Sequence, residues 1–197
     1  MDFSVEIKGH TLEYLDDVHQ YIVDGIEVPS ITQLLKVRFA NKYEGVGAGV
    51  LRRAAEKGTA THDAIEAYCK AGIEDGSPEL RNFKFLMRMY DLFPLKSEVP
   101  VILFDDDEPI AAGRLDLVLE NLEGNLGGAD IKRTAVLDKE YLAYQLNLYR
   151  RAYRQSYDED WTFLRGIHLR EDKRKLVEIP LNEDLCDEII TEWRNRE

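Results

Sequence analysis

Two neighbouring segments, residues 110–120 and 128–134, read as β-strands, yet each carries an aspartate among apolar residues. Asp116 lies in a run of leucine and valine, where a lone carboxylate is costly unless it is paired or bound to a metal. In the second segment, side chains alternate between the two faces of the strand, so Asp130 and Lys132 point the same way. Two carboxylates on adjacent strands, with a lysine in reach, can hold a hard divalent cation. The pattern predicts a fold in which these two strands lie side by side around a metal site.

Signals on either side of these strands predict an α/β core. Gly72 is expected to end a helix, Ser77 and Pro78 to begin the next one, and Asp138 to cap a third. The expected core consists of helices over about 50–70, 77–92 and 138–155, strands over about 98–104, 110–120, 128–134, 161–169 and 175–179, and a last helix from Asn182. The order of helix, three strands, helix and strand predicts a mixed central sheet flanked by helices.

The first part of the chain predicts a small N-terminal β-hairpin extension. Residues 19–23 and 26–28 read as strands, with Asp24-Gly25 as the turn between them. Ser30 and Gln33 have the spacing of a capping box, which predicts a short helix. We therefore expect one compact domain with two parts, an extension over residues 1–49 and a core over residues 50–197.

The composition argues against several classes of protein. A net charge of −12 is unfavourable for a protein that coats DNA by neutralising phosphates, although it leaves open an enzyme with a local basic patch. The two cysteines, Cys69 and Cys186, are too few and too far apart to build an iron–sulfur cluster or a zinc finger from thiols. The chain has no run of about 18 apolar residues and its start has no signal-peptide pattern. We therefore expect a cytoplasmic protein without a membrane partner.

Five motifs follow one another in a recognisable order. They are Gly58…His62, Glu98, Gly113…Asp116, Asp130-Ile131-Lys132 and Gln145…Tyr149. This series resembles the PD-(D/E)XK nuclease superfamily, and most of all its RecB-like exonuclease branch, over about residues 50–170. Residues 19–32 are also similar to phage-encoded members. The resemblance implies a restriction-endonuclease-like core and an activity that depends on Mg²⁺ or Mn²⁺.

The resemblance implies a role for each residue of the series. Asp116 and Asp130 would bind the metal together with the backbone carbonyl of Ile131. His62 would lie at the metal or at the scissile phosphate, and Glu98 would be an additional ligand of the metal or of water. The acidic residue before the lysine is Asp130 here, whereas many relatives have glutamate at that position.

The remaining expected site residues act on water, on the site itself or on DNA. Lys132 would orient or deprotonate the attacking water and stabilise charge on the pentavalent phosphate. Gln145 and Tyr149 would support the site and the nucleic-acid backbone. Three arginines closely follow the helix face of Gln145, and we expect them to contact DNA phosphates. They are Arg150, Arg151 and Arg154.

The sequence thus predicts a Mg²⁺- or Mn²⁺-dependent DNA exonuclease that needs a DNA end and leaves 5′-phosphates. The resemblance suggests a phage setting, in the host cytoplasm, in DNA recombination or end-processing with a possible single-strand-annealing partner. One alternative is an endonuclease with the same site. A second is a catalytically silent binding or inhibitor protein that kept the fold, although such a protein would usually have lost one of the residues Asp116, Asp130 or Lys132.

Overall fold

The computed structural model describes residues 2–40, 45 and 47–196 of the chain. In this part of the chain the strands form two sheets, one of four strands and one of five. The predicted extension corresponds to the first sheet and two short helices, while residues 41–44 and 46 lie outside the described residues. The prediction of a mixed α/β protein with an N-terminal β-structure is confirmed.

The N-terminal sheet is an antiparallel meander, larger than the single hairpin that the sequence predicts. Its strands are β1 (Phe3–Ile7), β2 (His10–Leu15), β3 (Gln20–Val23) and β4 (Ile26–Val28). Asp24 and Gly25 both have positive φ, +51° and +81°, which is the backbone that a tight hairpin turn requires. The capping box at Ser30 and Gln33 is present, and it begins α1 (Ile31–Leu34), which α2 (Lys36–Phe39) follows.

The core contains four longer helices and the five-stranded sheet. In chain order they are α3 (Ala48–Ala71), α4 (Pro78–Met89), β5 (Leu92–Asp105), β6 (Glu108–Asn121), β7 (Leu126–Lys132), α5 (Lys139–Tyr157), β8 (Phe163–Arg170), β9 (Lys173–Ile179) and α6 (Asp184–Arg194). The strands lie in sequence order, and every pair is antiparallel except β7 and β8, which are parallel and joined through α5. The predicted mixed sheet flanked by helices is therefore confirmed.

Local signals account for several helix ends. Gly72 ends α3 in the left-handed conformation, with φ of +66°. Ser77 caps α4 through its side chain, and Asp138 caps α5 in the same way. The largest differences from the predicted boundaries are that α4 ends at Met89 and that β5 already begins at Leu92. The long hairpin of β5 and β6 extends that strand, because pairing between the two continues from Leu92 to Asp105.

The sheet separates two apolar clusters. One contains residues of α5 and α6, and the other contains Ile65 of α3 and Phe83 of α4. Side chains of β6 alternate between them, with Val118 in the first and Leu117 in the second. The N-terminal sheet packs through a third cluster on the hairpin of β5 and β6, which places it beside Ala112 of β6. No helix in the described part of the chain has the length and apolar character needed to cross a membrane.

Candidate metal centre

The site begins with two carboxylates that face each other on β5 and β6. Ser97 pairs with Leu117 and Val99 pairs with Leu115, so Glu98 lies opposite Asp116 between these two pairs. Like charges directly opposite each other destabilise a sheet. Both side chains are largely shielded from solvent, with exposed fractions of 11% for Glu98 and 13% for Asp116. The fold therefore places two acidic groups where a positive charge is needed between them.

Glu98 has a backbone conformation that is unusual for a strand residue. Its φ is +52°, in the left-handed region that only glycine adopts readily. A non-glycine residue held there costs about 1 to 3 kcal/mol, and such residues cluster at functional sites. The unusual backbone interrupts the ladder opposite Asp116. The sequence predicts Glu98 at the beginning of a strand, whereas it lies in the middle of β5.

The Asp116 carboxylate also connects β6 to β7 where regular pairing stops. The last pair of this ladder is Leu117 with Ala129. Just beyond this pair, Asp116 Oδ2 accepts a hydrogen bond from the backbone N–H of Ile131 at 2.6 Å. The side chain thus replaces a backbone acceptor between the diverging strands. Its other oxygen, Oδ1, faces α3.

His62 reaches the carboxylates from α3. Its Nε2 donates a hydrogen bond to the backbone carbonyl of Ile131 at 3.1 Å. Its Nδ1 lies 3.6 Å from Asp116 Oδ1 and 3.7 Å from Glu98 Oε1. Because a carbonyl can only accept, the hydrogen on Nε2 is fixed, and Nδ1 is the atom turned toward the acids. A histidine that donates one ring N–H to a carbonyl while the other nitrogen faces carboxylates has the arrangement of a metal ligand.

The electrostatics show how strongly this pocket favours a cation. The negative charge of Asp116 raises the pKa of His62 to about 9, despite an opposing effect of burial. Glu98 and Asp130 act in the same direction as Asp116. The imidazolium therefore supplies the positive charge that the acids require, and a divalent cation could replace its proton.

His62, Glu98 and Asp116 together offer ligand atoms that all lie within 4.8 Å of one another. Two carboxylate oxygens and an imidazole nitrogen form a donor set suited to a divalent metal, and the fixed hydrogen on His62 Nε2 leaves Nδ1 available to bind it. The group lines an open pocket of about 350 Å³ whose wall includes Arg114 and Tyr21. These residues fit a metal with coordination positions left open for water or substrate.

Asp130 and Lys132 form a second, closed part of the site on β7. Lys132 Nζ lies 2.8 Å from Asp130 Oδ1 and 2.7 Å from Oδ2. Asp130 is only 3% exposed, and burial raises its pKa, although the charge of Lys132 acts in the opposite direction. Burial disfavours the charged form of Lys132, but the charges of Asp130 and Asp116 outweigh this effect and raise the lysine pKa. The shared face predicted for the two side chains is thus present, and they pair with each other.

The structure brings together part of the metal-ligand set expected from the sequence. His62, Asp116 and Glu98 come together as expected. Asp130 is paired with Lys132, and the Ile131 carbonyl accepts a hydrogen bond from His62 Nε2, so the role of these two residues as metal ligands stays a prediction. The pairing of Asp130 with Lys132 follows from the alternation of one strand, whereas the meeting of His62 with Glu98 depends on residues far apart in the chain.

Gln145 and Tyr149 lie on the face of α5 that supports the sheet. Both are buried, and Gln145 Oε1 has no hydrogen-bond partner among the described residues. Tyr149 packs against Gly113, where a Cβ atom would lie 3.0 Å from the tyrosine ring and hydroxyl. Burial raises the pKa of Tyr149 well above its ordinary value, and the charges of Asp116 and Asp130 contribute. The close approach of Tyr149 explains Gly113, and the supporting role expected of Gln145 and Tyr149 stays a prediction.

The three arginines of α5 are bound to acids of the same chain. Arg150 donates to the Trp161 carbonyl at 3.2 Å and to Asp160 at 2.7 Å. Arg151 and Arg154 contact Glu183 at 2.6 and 2.9 Å. The described lining of the pocket at His62 contains none of the three. The structure does not bring Arg150, Arg151 or Arg154 to the metal group, and their contact with DNA stays a prediction.

Trp161 shows where these arginines lie along the sheet. A Cβ atom on Gly128 would be 2.1 Å from the Trp161 ring, so the tryptophan covers the beginning of β7. Lys132 ends the same strand. Four residues of a strand span about 13 Å. The Arg150 side chain is thus held near one end of β7 and the paired lysine lies at the other.

Several residues of the pocket are not predicted as site residues from the sequence, and two of them are charged or aromatic groups next to the acids. Arg114 Nε lies 2.5 Å from Glu98 Oε2, and Tyr21 contributes to the wall from the N-terminal sheet. A signal for Arg114 was available, because it precedes Asp116 by two residues on one strand and so shares its face. Tyr21 carried no such signal, since its approach depends on how the two sheets pack.

Larger pockets lie elsewhere but lack this chemistry. One of about 490 Å³ includes Trp193 and Lys36, and one of about 520 Å³ includes His10 and Phe104. Within residues 2–40, 45 and 47–196, the group of potential metal ligands is found at His62 and not in either of these pockets. The choice of site therefore follows from the donor atoms and not from volume.

Comparison with known proteins shows a similarity in fold to a solved structure. No family model and no curated protein matches the chain. Among solved structures it is similar to the one described as "Crystal structure of SSO0001", with a TM-score of 0.50 and 16% identity over 86% of this chain and 76% of that chain. At this level of identity the likeness concerns the fold alone, a mixed sheet flanked by helices.

Proposed function

We propose that this chain is a metal-dependent deoxyribonuclease. The observation that carries the proposal is the convergence of His62 Nδ1 with the carboxylates of Glu98 and Asp116, within 4.8 Å, in an open pocket. On the adjacent strand, Lys132 holds an ammonium group close to these acids while it is paired with Asp130. Such a set of carboxylates, imidazole and lysine suits hydrolysis of a phosphodiester.

The fold that we propose for the core is that of the restriction endonucleases. Its support is the element order, in which helices precede the antiparallel strands β5, β6 and β7, and α5 then leads to β8 parallel to β7. The acids lie on the three strands of this unit, with Glu98 on β5, Asp116 on β6 and Asp130 on β7. This distribution agrees with the motif order that the sequence resemblance predicts.

We assign the metal as Mg²⁺ or Mn²⁺, because two carboxylate oxygens suit these ions and one imidazole nitrogen is compatible with Mn²⁺. When bound, the metal would lower the pKa of a water molecule and offset charge on the phosphate. The proposed hydrolysis adds water to phosphorus and breaks the P–O3′ bond, which gives a 5′-phosphate and a 3′-hydroxyl.

The residues of the site have two proposed roles, which are to bind the metal and to stabilise charge on the phosphate. His62, Glu98 and Asp116 provide the ligand atoms, and Asp116 also holds the backbone of Ile131 in place. Lys132 is 24% exposed and is kept charged by its acidic neighbours, so its ammonium group can stabilise negative charge that develops on the phosphate. This assignment favours charge stabilisation over proton abstraction among the two roles expected for Lys132.

The first half of α3 is the best candidate for guiding the DNA strand. Most of its side chains before Gly58 are exposed, and the helix then leads directly to His62. Arg52, Arg53 and Lys57 lie on this segment, and Arg53 has no ion-pair partner among the described residues. Exposed guanidinium groups on the helix that carries His62 can bind phosphates at little desolvation cost. We therefore place the entering strand along α3 and not at the paired arginines of α5.

The direct test compares linear and covalently closed DNA of the same sequence. Purified protein would be incubated with each substrate in Mn²⁺ or Mg²⁺, with EDTA and the Asp116→Asn variant as controls. Degradation of linear DNA, with circles spared and both controls silent, supports an end-directed exonuclease. Equal degradation of circles supports an endonuclease with the same site.

A separate titration tests the alternative that the chain is a catalytically silent binding protein. Mn²⁺ binding would be measured by calorimetry on the wild-type protein and on Asp116→Asn, in the absence of DNA. Metal binding without any cleavage of DNA would reject the nuclease proposal and favour a silent binding protein. The proposed cytoplasmic phage setting and an annealing partner rest on the sequence resemblance alone, and co-purification from infected cells would test them.

A further inference from the structure

The unusual backbone of Glu98 needs a contact that holds it in place. Arg114 supplies one, because its Nε lies 2.5 Å from Glu98 Oε2. The other carboxylate oxygen, Oε1, faces His62 Nδ1 at 3.7 Å. One oxygen of Glu98 is thus bound by a guanidinium group while the other is directed at the potential metal position.

Arg114 is itself held by the N-terminal sheet. Its guanidinium carbon lies 5.7 Å from the centre of the Tyr14 ring, a cation–π distance. Tyr14 packs on Tyr21, with ring centres 4.7 Å apart, and its hydroxyl is hydrogen-bonded to His19. This aromatic pair therefore presents a fixed surface to the arginine.

The N-terminal sheet is anchored immediately beside this contact. The backbone N–H of Ala112 on β6 donates to the carbonyl of Pro29, which follows β4, at 3.0 Å. Ala112 also belongs to the apolar cluster of the N-terminal sheet. Since Ala112 precedes Arg114 by two residues, the sheet contacts β6 where the arginine leaves it. A direct series of contacts then runs from Tyr14 through Arg114 to Glu98 and the ligand atoms.

We propose that Arg114 is a positioning residue for Glu98 and that the N-terminal sheet completes the metal centre by holding Arg114 through Tyr14. The proposal rests on the metal site of the proposed function. It assigns a role in metal affinity to a part of the chain that contributes none of the ligand atoms of the group formed by His62, Glu98 and Asp116. Partners that orient a metal ligand typically change metal affinity by about 10- to 100-fold when they are removed.

The test measures Mn²⁺ affinity by calorimetry in the absence of DNA. We expect Arg114→Gln to weaken Mn²⁺ binding by about tenfold or more. Arg114→Lys keeps the charge but not the planar guanidinium, so it should fall between wild type and Arg114→Gln. Tyr14→Leu should also weaken binding, whereas Tyr14→Phe keeps the aromatic face and should bind like wild type.

Arg165 provides a matched control. It lies on β8, stacks on Phe163 at 5.1 Å and pairs with Glu178 at 3.5 Å, so it has the same two kinds of contact as Arg114. Arg165→Gln should leave Mn²⁺ affinity unchanged. Thermal unfolding in EDTA would establish that each variant is folded. If Arg114→Gln does not fold, the Mn²⁺ affinities of Arg114→Lys and Tyr14→Leu test the positioning role.

The outcomes separate this inference from the proposed function. If wild type fails to bind Mn²⁺, or Asp116→Asn binds as well as wild type, the metal site itself is wrong. If wild type binds and Asp116→Asn does not, but Arg114→Gln and Tyr14→Leu bind like wild type, only the positioning role is overturned. An increase in KM for DNA at unchanged Mn²⁺ affinity would also overturn it and make Arg114 a substrate contact.

Discussion

The open and closed parts of the site treat their acids differently. At the open part, Glu98 and Asp116 face each other and are balanced by His62 and Arg114 in a pocket that solvent reaches. At the closed part, buried Asp130 is paired with a lysine from the same strand. The open part can therefore exchange its cation, whereas the closed part carries a permanent one.

The basic residues of two helices differ in a similar way. On the first half of α3, Arg52 and Arg53 are exposed. On α5, Arg150 and Arg151 are held by carboxylates, and only 15% and 12% of their side chains are exposed. Charge that is already paired within the chain contributes rigidity, and charge that remains exposed is available to a ligand. A cluster of basic residues in the sequence therefore does not by itself locate a binding surface, because its charges can already be paired within the fold.

The largest effect is expected when the open part loses a charge. Asp116→Asn removes a ligand and part of the negative charge that binds the cation, so we expect cleavage of linear DNA to fall by at least about a hundredfold and Mn²⁺ binding to be lost. Initial rates at saturating Mn²⁺, together with calorimetry, would measure both. Near-wild-type rates would contradict the assignment of the open part as the metal centre.

Loss of the permanent cation at the closed part should act on the rate instead. Lys132→Met keeps the length of the side chain but removes its charge, and we expect kcat to fall by about ten- to a hundredfold with Mn²⁺ affinity changed by less than about threefold. Because Asp130 is then buried without its partner, stability should also fall, by about 2 kcal/mol. Steady-state kinetics and urea unfolding would measure these changes. If Lys132→Met instead lowers Mn²⁺ affinity and leaves kcat unchanged, Lys132 acts in metal binding and the two parts of the site do not have separate roles.

The contrast between the two helices predicts a smaller effect on DNA binding. The double variant Arg52→Gln/Arg53→Gln should weaken binding of linear DNA by about tenfold. The slope of log affinity against log salt concentration should become shallower by up to about two, which corresponds to the loss of two phosphate contacts. Arg154→Gln on α5 is the matched control, since its guanidinium is bound to Glu183, and we expect unchanged affinity. Binding assays in Ca²⁺ over a series of salt concentrations would decide. The opposite ranking would return the DNA contacts to α5, as the sequence first predicted.

The smallest effect concerns the backbone of the open part. At Glu98, with φ of +52°, replacement by glycine should give a protein about 1 kcal/mol more stable than replacement by alanine. Both variants lose the carboxylate, so the difference isolates the backbone. At Lys96 of the same strand, which is not among the residues with positive φ, the order should reverse. Urea unfolding of the four variants in EDTA would test this, and an identical order at both positions would remove the argument for strain at Glu98.

Much of the fold could be predicted because its signals are local. Ser77 with Pro78, Asp138 and Gly72 mark helix ends through contacts within a few residues, and these boundaries are observed. The shared face of Asp130 and Lys132 follows from the alternation of a strand and is also observed. The four-stranded form of the N-terminal sheet was only partly predicted, because its first two strands lack a strong turn signal.

The elements, the mixed sheet and the residue types available for chemistry follow from the sequence alone. Which acids meet in one pocket, and which basic groups are already paired, depends on the folded chain. Glu98 lies 18 residues from Asp116 in the chain, but the β5–β6 pairing places it opposite Asp116, and its carboxylate pairs with Arg114 of the neighbouring strand. The arginines of α5 looked available because Glu183, their partner, is distant in sequence. Local preferences act over a few residues, whereas the pairing of charges depends on contacts that only the folded chain creates.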